Sequence, residues 1–459
     1  MKPFPAKAIF VLCLLFFCAP AAQAAERFLN IQEVMSPSGI TAWLVEDHSL
    51  PVISLQFAFK NAGAALDPPG KQGLSQLASN TMDEGAGPYD SQAFQKTLAD
   101  NSISFRFFST RDNFGASFKT LTRHRDLGFD LVRLALTQPR FDADPVARMK
   151  AANMARLRSS LSDPEWIATR ILYDTAFAGH PYALNAGGTL TSLEALTADD
   201  LKQFAKTRLD RDRLLVAVTG DISAHDLKAA LDKIFGGLPA TAVLPAIPDH
   251  TVQNGGKTFL HEMNIPQTLI QVMQPGIGRK DPDYYAAVVM NYILGGGGFG
   301  SRLTDSIREK RGLAYGVYTS LIELDHLKAI EMSTSTKNDT AGELMTLAQQ
   351  EWRAMRDTPI SAAELQNAKD YLIGSMPLSL VSTSAIAGLM MDMRTDGLPL
   401  DYLDRYSDNI NAVTVDDVQC VAKRLLDPDR LTIVAVGKPK GIEAANRSVN
   451  RVGKLPNVE

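Results

Sequence analysis

The sequence predicts an α+β protein of two homologous halves, each a helix-covered, mixed and mainly antiparallel sheet divided into two subdomains. Three observations carry this. Residues 196–220 (LTADDLKQFAKTRLDRDRLLVAVTG) and 413–437 (VTVDDVQCVAKRLLDPDRLTIVAVG) align without gaps at an offset of 217, with 11 of 25 positions identical. The strand-like segments PVISLQ (51–56) and PQTLIQ (266–271) echo each other at an offset of 215. Finally, strands and helices come in hairpin-rich order rather than the strict βαβ alternation of a doubly wound sheet.

The repeated unit has a clear physical logic. Thr197 and Thr414 are N-cap residues, each before a short helix with Asp in its first turn. A polar turn follows, then an apolar strand closed by Gly220 or Gly437. In the first half, strands are expected over 40–45, 52–59, 104–109 and 114–120, and helices over 72–82, 91–101, 123–136, 145–161 and 165–178. The halves span 27–238 and 256–459. Residues 239–255, with Pro239, Pro245, Pro248 and Gly255, read as the linker.

Residues 1–24 are set aside as a signal peptide. Lys2 and Lys7 precede an uncharged apolar run over 8–18, and Ala22-Gln23-Ala24 supplies a small-residue cleavage pattern. Cleavage removes Cys13 and Cys18 and leaves Cys420 alone, so neither an internal disulfide nor a multi-cysteine zinc site is expected. No later stretch is apolar enough to span a bilayer, so a soluble, exported, periplasmic protein without a membrane anchor is expected. The chain is 45% hydrophobic and 21% charged with formal net charge −4, which argues against a disordered chain and against nucleic-acid binding through a basic surface.

The run Gly295-Gly296-Gly297-Gly298-Phe299-Gly300 contains a formal G-x-G-x-x-G. It follows a helical pattern over 283–294 instead of a strand, so it reads as a flexible connector and not as a dinucleotide site. After it, residues 301–320 (SRLTDSIREKRGLAYGVYTS) read as a helix over 301–310 stopped by Gly312, then a strand over 313–320. Taken with the duplicated halves, the glycine run, Ser-Arg-Leu and the Gly-Leu-Ala-Tyr turn resemble the C-terminal half of the M16 (pitrilysin/insulinase-like) peptidases and their processing-peptidase relatives. Gly70-Lys71-Gln72-Gly73-Leu74 stands where that family places its zinc-motif helix.

The resemblance implies a LuxS/MPP-like metallohydrolase-type fold, and it also exposes a departure. Active members carry H-x-x-E-H, two imidazoles on one helix face with a glutamate as general base. Here Gln76 and Asn80 stand at the histidine positions and Ser79 at the base. The family's third ligand, a glutamate, should fall near 153–157, yet no Glu occurs between Asp144 and Glu165, and the helix carries Arg148, Lys150, Arg156 and Arg158. The seven histidines (48, 124, 180, 225, 250, 261 and 326) offer no second His one helical turn away, and no G-x-S-x-G elbow exists.

Arg308 and Tyr315 match the Arg/Tyr pair with which active relatives hold the substrate backbone and stabilise the attacked carbonyl. On spacing alone, Arg308 pairs with Asp305 or Glu309 and Tyr315 packs in the sheet; with the resemblance, both face one cleft. The expectation is a non-zinc-binding subunit that holds no cofactor itself. It would offer Arg308 and Tyr315 in trans to the zinc of an H-x-x-E-H-containing M16-like partner acting on extended or unfolded peptides. A non-enzymatic scaffold or peptide-binding module is the alternative, and a zinc peptidase with unorthodox ligands is a third.

Overall fold

The computed structural model describes residues 27–442 and 448–458. The expected signal peptide, with Cys13 and Cys18, lies outside the described residues. The described strands are β1 (Gln32–Met35), β2 (Thr41–Glu46), β3 (Val52–Phe59), β4 (Ser104–Ser109), β5 (Phe114–Leu121), β6 (Leu214–Gly220), β7 (Thr258–Glu262), β8 (Gln267–Pro275), β9 (Ala314–Leu324), β10 (Leu327–Lys337), β11 (Thr432–Gly437) and β12 (Val449–Arg451). They form two six-stranded sheets, ordered β1-β2-β6-β3-β5-β4 and β12-β7-β11-β8-β10-β9. From the second position on the two orders correspond strand for strand. Only β2–β6, β7–β11 and β7–β12 are parallel pairs, so each sheet is mixed and mainly antiparallel.

The repeated unit caps its helices as the sequence predicts. Thr197 Oγ1 accepts from the Asp200 N–H at 3.3 Å while Asp200 accepts from the Thr197 N–H at 3.0 Å, and Thr414 and Asp417 repeat the box at 3.1 and 2.8 Å. Each box satisfies two backbone donors that the helix start leaves open. The closing glycines are needed sterically: Gly220 has φ +123°, and a Cβ there would lie 2.0 Å from the Val52 carbonyl oxygen.

One face of each sheet buries its own half's helices, with Phe57, Phe59, Phe107 and Phe114 at the first core and Trp352, Met345 and Ile293 at the second. The other faces are covered by exchange. Helix Pro164–Ala176 belongs to the first half, yet its Ile167, Ile171 and Leu172 cluster with Met273, Ala329 and Val434 of the second sheet. Helix Thr383–Thr395, its counterpart in the second half, packs Met390, Met391 and Met393 against Trp43, Val45 and Ala217 of the first. Burial at roughly 25 cal/mol per Å² of apolar surface makes this reciprocal cover the chief bond between the halves. Residues 239–257 have no regular secondary structure. Their Ile247 and Val252 are buried in the same seam.

Three expected helices differ; the one over 283–294 is α-helical over Tyr284–Asn291 and then winds as a π-helix over Tyr292–Gly296, into the glycine run. The helix expected over 72–82 is only Leu74–Ser79, because Gly73 enters it at φ +86°, where a Cβ would come 2.9 Å from the Gly187 carbonyl oxygen, and turns follow Asn80. The helix expected over 301–310 winds as a π-helix over Thr304–Glu309. There the Lys310 N–H reaches back five residues to the Asp305 carbonyl at 3.0 Å.

Candidate functional site

Helix Leu74–Ser79 is fixed from below by a buried ionic knot. Ser75 donates through its N–H and Oγ to Asp67, and Arg208 donates to Asp67 Oδ1 (3.1 Å), Ser75 Oγ (2.9 Å) and the carbonyls of Gly63 (3.0 Å) and Leu66 (2.7 Å). Leu74, Leu77 and Ala78 enter the core. Gln76, Ser79 and Asn80 form a hydrogen-bonded cluster: Gln76 Nε2 donates to Asn80 Oδ1 at 3.1 Å and to Ser79 Oγ at 3.2 Å, and Ser79 Oγ donates back to the Gln76 carbonyl at 2.8 Å.

The cluster reaches a second helix, Ala143–Ser160. Asn80 Nδ2 donates to Asn153 Oδ1 at 2.7 Å, and Asn153 is 5% exposed. Asn153 lies at the near edge of the interval 153–157 where the resemblance places the third ligand. Three neutral amides and a hydroxyl, tied mainly to one another, do not fit a zinc ion, which takes imidazole, thiolate or carboxylate donors. Among the described residues no group of three or more His, Cys, Asp or Glu is placed to hold a metal.

Arg148 donates to Glu84 at 2.6 Å, and Lys150 donates to the carbonyls of Glu194 and Leu196 at 2.7 and 2.8 Å, so these charges are held by other neighbours. Arg156 and Arg158 are solvent-exposed. The mismatch with zinc rests on the donors.

The second group lies in the other half. Arg308 is the penultimate residue of the π-helical turn, Gly312 (φ +62°) follows it, and Tyr315 is the second residue of the edge strand β9. The Arg308 guanidinium lies 4.8 Å from the Tyr315 ring centroid and 4.4 Å from that of Phe299. Its Nε is 3.4 Å from Glu309 Oε1, while Asp305 pairs with Lys310 instead. Tyr315 is 83% exposed, so it does not pack in the sheet. A guanidinium and a phenol side by side can donate to a peptide carbonyl or a developing oxyanion. Among the described residues no hydrogen bond or ring contact joins this pair to the amide cluster. Phe299 escaped the sequence reading because the glycine run around it reads as a connector.

Arg302, in the Ser-Arg-Leu motif, makes a two-point bond to Glu364 at 2.7 and 3.1 Å, and Glu364 also closes the capping box with Ser361. The Arg302 hydrogen bond, helped by the Ser361 donors, holds the Glu364 carboxyl down at about 2, against an ordinary 4.5. A depressed carboxylate contributes stability that is present above its unfolded value and lost as pH falls toward the folded one. Between pH 5 and pH 2.5 the wild-type melting temperature should therefore fall further than that of Glu364→Gln. Equal falls would remove this linkage.

Residues 195–372 match the family model of the peptidase M16 inactive domain. The solved structure of a peptidase M16 inactive domain from Pseudomonas fluorescens superposes with a TM-score of 0.83 at 29% identity, covering 90% of this chain and 99% of that one. The chain is M16-like: its central stretch matches the family model, and its fold as a whole is that of an M16 inactive domain. The non-peptidase homolog YmxG of Helicobacter pylori is 25% identical over 399 residues, 86% of this chain and 91% of that protein. The mitochondrial-processing peptidase subunit beta of Lentinula edodes is 20% identical over 416 residues, 86% and 87% of the two chains. The chain thus resembles proteins described as inactive or non-peptidase M16 homologues, beside a processing-peptidase subunit.

Proposed function

We propose that this chain is the non-zinc-binding subunit of a heterodimeric periplasmic M16-like metallopeptidase. It supplies Arg308 and Tyr315 to bind peptide and stabilise the attacked carbonyl at a zinc site held by an H-x-x-E-H-containing partner. The observation that carries the reading is the contrast between the two sites. Where the resemblance places zinc, amides are bonded to one another, whereas Arg308 and the 83%-exposed Tyr315 are stacked together, with Glu309 as the Arg308 ion contact. A donor pair without a metal beside it in the same chain fits division of labour between subunits. One relative, a mitochondrial-processing peptidase, is itself named as a subunit. Extended or unfolded peptides are the substrate class, since strand addition at a sheet edge leaves the peptide backbone open to such donors. Export to the periplasm rests on the signal-like pattern of residues 1–24.

Co-expression with an H-x-x-E-H homologue encoded beside it tests the reading. The expected result is a stable complex whose peptidase turnover exceeds that of the zinc subunit alone. No association, or no effect on turnover, would contradict it; association without an effect is the outcome expected of a scaffold.

A further inference from the structure

We propose that Phe299 is a positioning residue for Arg308, clasping the guanidinium together with Tyr315 so that its N–H groups are presented to peptide. The inference rests on the reading of Arg308 as a substrate-binding group, and it starts from an oddity of exposure. Phe299 is 72% exposed, the single bulky residue among five glycines, and its ring lies 4.4 Å from the Arg308 guanidinium.

The glycines dictate this placement. A Cβ on Gly295 would come 2.7 Å from Thr319 Oγ1 of β9, and one on Gly297 would lie 2.8 Å from the Tyr292 carbonyl oxygen. Gly298 then turns the chain at φ +55°, a conformation that favours glycine, and its carbonyl accepts from Ser301 Oγ at 2.8 Å. The run is thus compressed between Tyr292 and β9, and it delivers the next side chain onto Arg308.

Arg308 has little else to orient it. Among the described residues its side chain makes no hydrogen bond, and its ion contact is with the neighbouring Glu309 at 3.4 Å. Stacking suits a guanidinium because the rings touch its faces and leave the N–H donors at its edge available. Without the Phe299 ring, one of two fixed contacts is gone and Arg308 is free to settle on Glu309. The edge that a carbonyl oxygen needs would then be presented only part of the time.

Two measurements test this. In the assembled complex, Phe299→Leu should lower kcat/KM about fivefold, the scale of one lost cation–π contact, while Phe299→Tyr and Phe299→Trp restore it. In an Arg308→Ala background Phe299→Leu should have no further effect, since the ring acts only through the guanidinium. Full activity of Phe299→Leu, or an undiminished effect in that background, would overturn the proposal. If Arg308→Ala itself leaves turnover unchanged, the underlying reading falls, and the isolated chain still tests the contact. There the Arg308 Nε–Hε resonance, assigned by its loss in Arg308→Lys, should shift in Phe299→Leu and return in Phe299→Trp. An unmoved resonance would overturn the positioning role on its own.

Discussion

Replacing Gln76, Ser79, Asn80 and Asn153 with His, Glu, His and Glu is expected to convert a chain that retains no stoichiometric zinc into one that binds one zinc ion. The reason is geometric. The Gln76 and Asn80 side chains already meet at 3.1 Å across one helical turn, and Asn80 meets Asn153 at 2.7 Å across two helices. Ligand atoms about 2.1 Å from a tetrahedral zinc stand roughly 3.4 Å apart, so the amide cluster holds its members close to ligand spacing. What is missing is donor chemistry, not position. Zinc content after dialysis against a slight excess of metal checks this, with Gln76→His/Ser79→Glu/Asn80→His expected to bind at least about tenfold more weakly for want of the third ligand. A quadruple variant that folds yet holds no zinc would show that the backbone, and not only the donors, has left the metalloenzyme geometry.

Arg208→Met should destabilise the protein by about 3–5 kcal/mol, a large share of the roughly 5–15 kcal/mol that holds a typical fold. Arg208 and Asp67 are both buried, and Arg208 also ties the carbonyls of Gly63 and Leu66 to Ser75. Burial already pushes the Asp67 carboxyl up, and Arg208 is the main influence opposing that shift. Removing the guanidinium leaves a buried carboxylate that must protonate or unfold its surroundings. The second half offers the contrast: at the repeat offset of 217, Leu425 stands where Arg208 does in the first. The pair is thus particular to the half that carries the Gln76–Ser79–Asn80 cluster. Urea denaturation reads the loss, and replacing Asp67 by Asn in the same chain should recover part of it. A shift below about 1 kcal/mol for Arg208→Met alone would contradict the knot's role.

What the sequence disclosed follows from how local each signal is. Thr197 with Asp200, and Thr414 with Asp417, mark helix starts because side chain and backbone bond within three residues, and such a box needs no knowledge of the rest of the fold. The exchange of helices Pro164–Ala176 and Thr383–Thr395 between halves was not legible. An apolar helix face says that it will be buried and is silent about which sheet buries it. The π-winding of Thr304–Glu309 escaped for a related reason, since the same residues suit an α-helix and only their packing selects the wider turn. Arg308 and Tyr315 are singled out by the resemblance, since their spacing alone fits a solvated ion pair and a packed tyrosine equally well. Phe299 shows its contact only when the glycine run is folded.

The central claim is that this chain holds the donor half of a divided active site. Its most direct test is peptide turnover by the complex with an H-x-x-E-H-containing subunit, wild type against Arg308→Ala/Tyr315→Phe. The account predicts a fall of about a hundredfold or more, the scale of losing oxyanion donors, with assembly and the zinc content of the partner subunit unchanged. Turnover equal to wild type in that intact, zinc-loaded complex would contradict it.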